Sequence, residues 1–246
     1  LGSLIKFEDD GPTANISGAE GAEIRLDETD NDADDGDLGG LLASMTVAAA
    51  NLFVDNSEFG SDGPAAGGGK AYALTLSAEN VDSGLDDTLS GEDVILVSDG
   101  DDIVGRTAIG GVEVFRISID PVTGDITVTQ SRAIVHDDPN DHDESSSPES
   151  IAAGLVGVKL TVTDGDGDTA SDTIELGSLI KFEDDGPTAN ISGAEGAEIR
   201  LDETDNDADD GDLGGLLAKA TVAAANLFVD NSVFGSDGAA NVNATV

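Results

Sequence analysis

The chain has 246 residues, with 52 acidic residues against 10 lysines and arginines, so its formal net charge is −42. This charge excludes a basic patch for nucleic acid, and the lack of cysteine excludes disulfides and cysteine-based zinc sites. No apolar run approaches the roughly 20 residues that a membrane span needs, so we expect no membrane insertion.

Strands dominate the predicted secondary structure. Alternating or β-branched runs predict strands at 72–77, 94–97, 112–119, 126–129, 158–163 and 173–182. The string Asp-Pro-Val-Thr-Gly-Asp at 120–125 predicts a hairpin, because proline presets the turn and glycine supplies a positive φ. Residues 150–155 could form a helical turn, which Gly154 weakens. Short strands with polar turns indicate an all-β sandwich of the Ig-like, Greek-key type.

The strongest candidate cation site is the string Asp-Gly-Asp-Gly-Asp at 164–168, between two predicted strands. Asp164, Asp166 and Asp168 can curl around one hard cation with oxygen ligands at about 2.3–2.6 Å. The string partly imitates an EF-hand loop, with Glu175 at the twelfth position, but Thr169 replaces the required glycine and strands flank it. We therefore expect a calcium site of another kind; a polar turn without an ion is the alternative.

A linker site follows if the strands 158–163 and 173–182 are antiparallel neighbours. Their turn then lies at the end of the domain where the chain enters, beside Glu8, Asp9 and Asp10. Carboxylates a few ångströms apart repel strongly in a partly dry site. Calcium between them would convert a loose hinge into a rigid joint, so we expect calcium-stabilised domains.

Two other acidic strings are further candidates. Residues 27–37 contain seven acids, with calcium-like spacing at Asp30, Asp32 and Asp34 after Asp27 and Glu28. A solvated acidic loop explains this string equally well, and its copy at 202–212 shares both interpretations.

The string 99–102 holds Asp99 and Asp101 as candidate ligands. It resembles part of the calcium-binding nonapeptide of β-rolls, but the glycine-rich array around it is missing. A β-turn is the favoured interpretation.

A tandem repeat of 175 residues organises the chain. Residues 1–65 recur at 176–240 with 61 identities, so Glu183, Asp184 and Asp185 repeat the acids of residues 8–10 as further candidate ligands. The near identity of the copies favours a spacer, in which the number of copies matters more than individual surfaces.

The domain boundaries follow from the Gly-Pro pairs that close both acidic strings. We expect residues 1–11 to be the tail and linker of a preceding repeat, 12–186 a full repeat, and 187–246 the truncated start of the next. The chain therefore looks like a piece of a longer protein. A shifted unit at 66–240, or a segment 187–246 that folds only by pairing with its neighbour, stays open.

The string at 161–170, TVTDGDGDTA, followed by FEDDGPTA at 182–189, resembles the tandem repeat of giant RTX-family bacterial adhesins and agglutinins. Strings at 82–85, 120–125 and 130–134 add to the resemblance, which covers most of 24–189. It implies secretion by a type I system, retention at the bacterial cell surface, and β-sandwich extender domains that bind calcium and project terminal ligand-binding domains. It also implies calcium ligands among Asp9, Asp10, Asp164, Asp166 and Asp168.

We therefore predict a non-enzymatic, calcium-binding extender whose partners are neighbouring repeats of the same chain. We expect no nucleic acid and no small-molecule substrate. The alternative is an adhesin domain that contacts a sugar or peptide directly, which needs a concave pocket and an exposed aromatic cluster around Tyr72, Phe115 or Phe53. A secreted acidic enzyme, whose charges serve solubility only, is a third hypothesis.

Overall fold

The structure is a computed structural model that describes residues 5–6, 8–28, 40–137, 145–201, 218–236 and 238. It is 45% strand and 5% helix, which confirms the predicted all-β sandwich. The strands are β1 (Ile16–Gly18), β2 (Ile24–Asp27), β3 (Ala43–Val47), β4 (Phe53–Asp55), β5 (Lys70–Leu76), β6 (Val81–Asp87), β7 (Glu92–Asp99), β8 (Asp102–Thr107), β9 (Glu113–Ile119), β10 (Ile126–Gln130), β11 (Glu149–Ser150), β12 (Val156–Thr163), β13 (Thr169–Glu175), β14 (Ile180–Glu183), β15 (Ile191–Gly193) and β16 (Phe228–Asp230). The helical elements in the described ranges are α1 (Ala49–Leu52) and 3-10 turns at Gly177–Leu179 and Ala224–Asn226. No helix in these ranges is long and apolar enough to cross a membrane.

The chain divides into two compact units, residues 1–186 with 236–246, and residues 187–235. In the first unit, a six-stranded antiparallel sheet has the order β3-β10-β9-β8-β7-β6. Two three-stranded sheets, β13-β12-β5 and β11-β14-β2, complete the sandwich. The ring centroids of Phe115 on β9 and Phe182 on β14 lie 5.3 Å apart across the core, and both side chains are fully buried.

Five of the six predicted strands match β5, β7, β9, β10 and β12, and none extends more than one residue beyond the observed strand. The hairpin at 120–125 is confirmed: β9 and β10 pair antiparallel, and Gly124 has a φ of 78°. The Asp120 carboxylate accepts hydrogen bonds from the Val122 and Thr123 amides at 2.8 and 3.0 Å, which fixes the turn.

One local prediction is wrong, and a second segment forms a turn that is not helical. The single strand expected at 173–182 is interrupted, because Glu175 accepts hydrogen bonds from the amide and hydroxyl of Ser178 at 2.7 and 2.6 Å. The chain therefore turns after β13 and begins β14 in a different sheet. Residues 150–155, for which the sequence allowed a turn, form the end of β11 and a tight turn in which Gly154 has a φ of 81°.

The segment that contains β1 and β2 runs alongside β13 and β14 in the same direction. The Ile16 amide donates to the Asp172 carboxylate on β13 at 3.1 Å. Further along, β2 pairs parallel with β14, from Ile24 opposite Ile180 to Asp27 opposite Glu183. The chain therefore enters the first unit at one end and leaves β14 at the other.

The second unit contains β15 and β16, which pair antiparallel. Their register repeats that of β1 and β4 in the first unit, since Ile191 faces Asp230 as Ile16 faces Asp55. The near-identical sequences thus form the same hairpin.

Candidate metal site

The acidic turn after β12 is organised by Asp164, which is fully buried. Its Oδ1 accepts hydrogen bonds from the Gly167 and Asp168 amides at 3.1 and 2.8 Å, and its own amide donates to the Asp168 carbonyl at 3.0 Å. These bonds close the turn on one side of the carboxylate. The other oxygen, Oδ2, is buried without a hydrogen-bond partner, which is costly for a charged group.

The pairing of β5 with β12 places Asp62 next to the acidic turn. β5 and β12 are antiparallel neighbours, so the residues before β5 meet those after β12, and Pro64 bridges Asp164. The approach is close enough that a Cβ on Gly165 would lie 2.5 Å from the Asp62 carbonyl oxygen. Glycine is therefore required at position 165, and it lets this loop lie against the turn.

Asp9 and Asp10 lie in the segment that precedes β1. Gly11 lies beside Asp168, and the Asp10 carboxylate accepts a hydrogen bond from the Ser61 hydroxyl at 3.2 Å. Gly60 has a φ of 72°, and a Cβ there would lie 2.0 Å from the Asp10 carbonyl oxygen. The incoming chain is thus held against the same loop that carries Asp62.

Five carboxylates gather at this point, and we call them the aspartate cluster: Asp9, Asp62, Asp164, Asp166 and Asp168. In one group Asp9, Asp166 and Asp168 each present a carboxylate oxygen within 4.8 Å of the others. Asp62, Asp164 and Asp166 form a second such group, so Asp166 belongs to both. Oxygen donors from three chain segments are the donor set that calcium prefers, and Asp164, whose Oδ2 has no hydrogen-bond partner, contributes one of them. The residues present therefore fit a divalent cation.

The crowding of the carboxylates raises the pKa values of three members of the cluster. Partial desolvation, then the charges of Asp9 and Asp164, raise the pKa of Asp62 above its ordinary value. When protonated, Asp166 can donate a hydrogen bond to Asp164 and Asp168 can donate one to Asp9, which raises the pKa of both groups. Without a cation, these carboxylates hold protons more tightly than free aspartates do.

The structure thus brings together four of the predicted ligands, Asp9, Asp164, Asp166 and Asp168. It adds Asp62, which the sequence reasoning missed. The local signal was weak: Asp62 lies in the string Gly-Ser-Asp-Gly at 60–63, a proline and a glycine-rich segment separate this string from β5, and nothing in it shows that β5 pairs with β12. Glu8 is exposed and belongs to neither group.

A second set of predicted ligands lies at the opposite end of the first unit. Asp27 and Glu183 end β2 and β14 side by side, and Glu183 forms an ion pair with Arg25. Glu28 is buried and accepts a hydrogen bond from the Gln130 side chain at 2.5 Å. Glu28 and Glu183 therefore both interact with protein side chains.

The remaining predicted ligands belong to two other strings. Asp184 and Asp185 follow β14 directly and are partly buried. Asp30, Asp32 and Asp34 lie outside the described residues.

The string 99–102 forms a tight turn between β7 and β8. Asp99 forms an ion pair with Arg116 at 2.9 Å, and Asp101 is exposed. Arg116 also contacts Asp102 at 2.9 Å, so this turn is held by an arginine, as expected for a structural turn.

The three aromatic residues named for direct ligand binding do not form an exposed cluster. Phe115 and Phe53 are buried in the core, at 0% and 5% exposure. Tyr72 is half-buried and lines a cavity of about 160 Å³ with five other residues: Ala73, Leu74, Asp101, Ile119 and Pro121. The direct ligand-binding alternative therefore lacks two of its three aromatic residues.

Comparison with known proteins places the chain in a family. Residues 23–177, more than half of the chain, match the family described as domain of unknown function (DUF5801). No curated protein and no solved structure matches the chain. The matched range runs from β2 to the 3-10 turn after β13 and includes Asp62 and the acidic turn at 164–168. The chain belongs to the DUF5801 family.

Proposed function

We propose that this chain is a calcium-binding structural extender, a spacer module of a secreted bacterial surface adhesin. The observation that carries the proposal is the buried Asp164, whose Oδ2 has no hydrogen-bond partner and whose carboxylate groups with those of Asp62 and Asp166. A divalent cation would satisfy that oxygen and neutralise the negative charges that crowd around it.

The position of the aspartate cluster supports the structural role. Asp9 follows residues 5–8, whose sequence is the same as that of β14, the last strand of a repeat. Asp9 is therefore a linker residue, whereas Asp62, Asp164, Asp166 and Asp168 belong to the folded repeat that follows. A cation held by both groups would tie the linker to the domain, as a rigid array requires.

The ionic conditions outside a cell suit such a site. Extracellular calcium modules bind with dissociation constants of about 10⁻⁴–10⁻³ M, so they fill at millimolar calcium and are empty in cytosol. Ligand binding to the folded state alone stabilises that state by linkage. The non-enzymatic role, secretion and cell-surface location are part of the same proposal.

Isothermal titration calorimetry with CaCl2 tests the proposal on the whole chain. We expect saturable calcium binding that 10-fold more NaCl does not reproduce, and a loss of the highest-affinity component in Asp164→Asn. Asp86→Asn is the matched control, because it removes the same charge from an exposed position on β6. Equal binding by both variants and the unmodified chain would rule out the aspartate cluster as the site.

A further inference from the structure

The strand β5 lies at one edge of the sheet β13-β12-β5. Directly after it, the Ser77 amide donates to the Leu155 carbonyl at 2.8 Å, so the odd-numbered residues of β5 face β12. Consecutive residues of an antiparallel pair alternate between bonded and unbonded positions. The backbone amide and carbonyl groups of Tyr72 and Leu74 therefore point away from β12.

Part of this outer edge already has a backbone partner. The Tyr72 amide donates to the Pro121 carbonyl at 3.0 Å. At the next outward position, the backbone groups of Leu74 have no hydrogen-bond partner among the residues that the structure describes. An edge with unpaired amide and carbonyl groups is a template for an added strand.

The cavity of about 160 Å³ beside Tyr72 lies along the same edge. β5 lines it with Tyr72, Ala73 and Leu74, and Ile119 and Pro121 lie opposite. Pockets for drug-sized ligands begin at about 300 Å³, so this cavity suits one side chain. Leu74 packs against the core of the sandwich. A residue added directly opposite Leu74 would project to the same side of the sheet, which is the side of the cavity.

Asp101 gives the cavity its charge. It is exposed, and the other residues that line the cavity are uncharged. The neighbouring Asp99 and Asp102 form ion pairs with Arg116, whereas Asp101 has no hydrogen bond or ion pair with any described residue. Apolar walls with one carboxylate at the solvent-exposed rim suit a lysine, whose methylene groups cover apolar surface while its ammonium group stays in water. The net charge of −42 attracts a cationic ligand.

We propose that the β5 edge binds an extended, lysine-containing segment of another protein. The segment adds an antiparallel strand, its lysine backbone bonds to the amide and carbonyl of Leu74, and the lysine side chain enters the cavity and pairs with Asp101. In this mode of recognition the main-chain bonds give affinity and the side-chain pocket gives specificity. The site uses no residue of the aspartate cluster, so it is independent of the calcium proposal and adds a binding role to the spacer.

A short peptide tests the proposal on the whole chain. Because Pro121 occupies the edge at Tyr72, the peptide ends at its lysine: acetyl-Thr-Val-Thr-Val-Lys-amide. It is titrated into the ¹⁵N-labelled chain in CaCl2 and about 0.15 M NaCl, where a Debye length of about 8 Å screens the net charge. We expect saturable shifts of the Leu74 and Asp101 amide signals, and slower hydrogen exchange of the Leu74 amide.

Matched variants separate the site from attraction by net charge. Asp101→Asn should weaken binding about fivefold, and Asp86→Asn, which removes the same charge from an exposed position on β6, should leave it unchanged. A peptide methylated at the backbone nitrogen of its lysine keeps its charge but loses a main-chain bond, and should also bind about fivefold more weakly.

Several results would overturn the proposal. Equal binding by Asp101→Asn and the unaltered chain, or by the methylated and unmethylated peptides, would show that only net charge attracts the peptide. Shifts that spread over the acidic loops without Leu74, or no shift at millimolar peptide, would exclude the β5 edge. Leu74 shifts that follow the concentration of the chain alone would assign this edge to a second copy of the chain instead.

Discussion

The substitution Asp164→Asn separates metal binding from the fold of the acidic turn. Asparagine retains a side-chain carbonyl oxygen, which can still accept the hydrogen bonds from Gly167 and Asp168. Its amide nitrogen replaces Oδ2, the buried oxygen that has no partner. The turn should therefore persist while the cation loses a charged ligand that it cannot replace.

The expected effect follows from linkage. The two overlapping carboxylate groups can hold at least one ion. At about 10 mM calcium, a site with a dissociation constant of about 10⁻⁴–10⁻³ M stabilises the folded state by about 1.4–2.7 kcal/mol. For a domain of this size that corresponds to a rise in Tm of about 3–11 °C. A loss of affinity of about 100-fold in Asp164→Asn leaves at most about 0.4 kcal/mol, and a rise of no more than about 2 °C.

Differential scanning calorimetry in calcium and in EDTA measures both numbers. The unaltered chain and the Asp86→Asn control should show the full calcium-dependent rise in Tm, and Asp164→Asn should show little of it. Two results would refute the reasoning. One is a calcium-dependent rise in Asp164→Asn equal to that of the unaltered chain, and the other is an equal rise when calcium is replaced by KCl of the same ionic strength.

Two further predictions concern charge. In EDTA, the raised pKa of Asp166 means that the folded chain binds the proton of this carboxyl more tightly than the unfolded chain does. The resulting stabilisation of the folded state is present below about pH 3.8 and is lost as the pH rises through the raised pKa. Asp166→Asn should therefore raise Tm in EDTA at about pH 7 but not below about pH 3.8, and lower it in calcium; a lower Tm in EDTA at about pH 7 would contradict this account. Asp87 is buried and bound by Arg132 through two contacts of 2.6 Å. Asp87→Asn should therefore lower the free energy of unfolding in urea by about 2 kcal/mol. This is less than the about 3–5 kcal/mol of a fully buried pair, because Arg132 is partly exposed. Burial alone would raise the pKa of Asp87, but Arg132 and Ser90 hold it below its ordinary value, so this stabilisation is lost as pH falls through the lowered pKa; an unchanged urea midpoint would show that the pair contributes nothing.

Sequence periodicity predicts the strands whose apolar residues alternate without interruption. In β12, Val158, Leu160 and Val162 are buried and Lys159 is exposed. This alternation is visible in the sequence and predicts the strand. β6 was missed because its inward residues include Ser83 and Asp87. The burial of Asp87 depends on Arg132, 45 residues away, and no local pattern contains that information.

The same distinction applies to the aspartate cluster. The alternate spacing of Asp164, Asp166 and Asp168 is local, so the sequence predicts their association. The inclusion of Asp9 required an assumption about strand pairing, which the structure supports through the β12–β13 pair. Asp62 depends on the pairing of β5 with β12, a contact between strands more than 80 residues apart that the sequence alone does not specify.

Anomalous diffraction from crystals grown in calcium tests the central claim most directly, because it locates the ion. The proposed function predicts a calcium peak within about 2.3–2.6 Å of Asp164 Oδ2, with oxygens of Asp62 or Asp166 in the same coordination shell. A well-ordered Asp164 bonded only to water or protein, with no anomalous peak at the aspartate cluster, would contradict it.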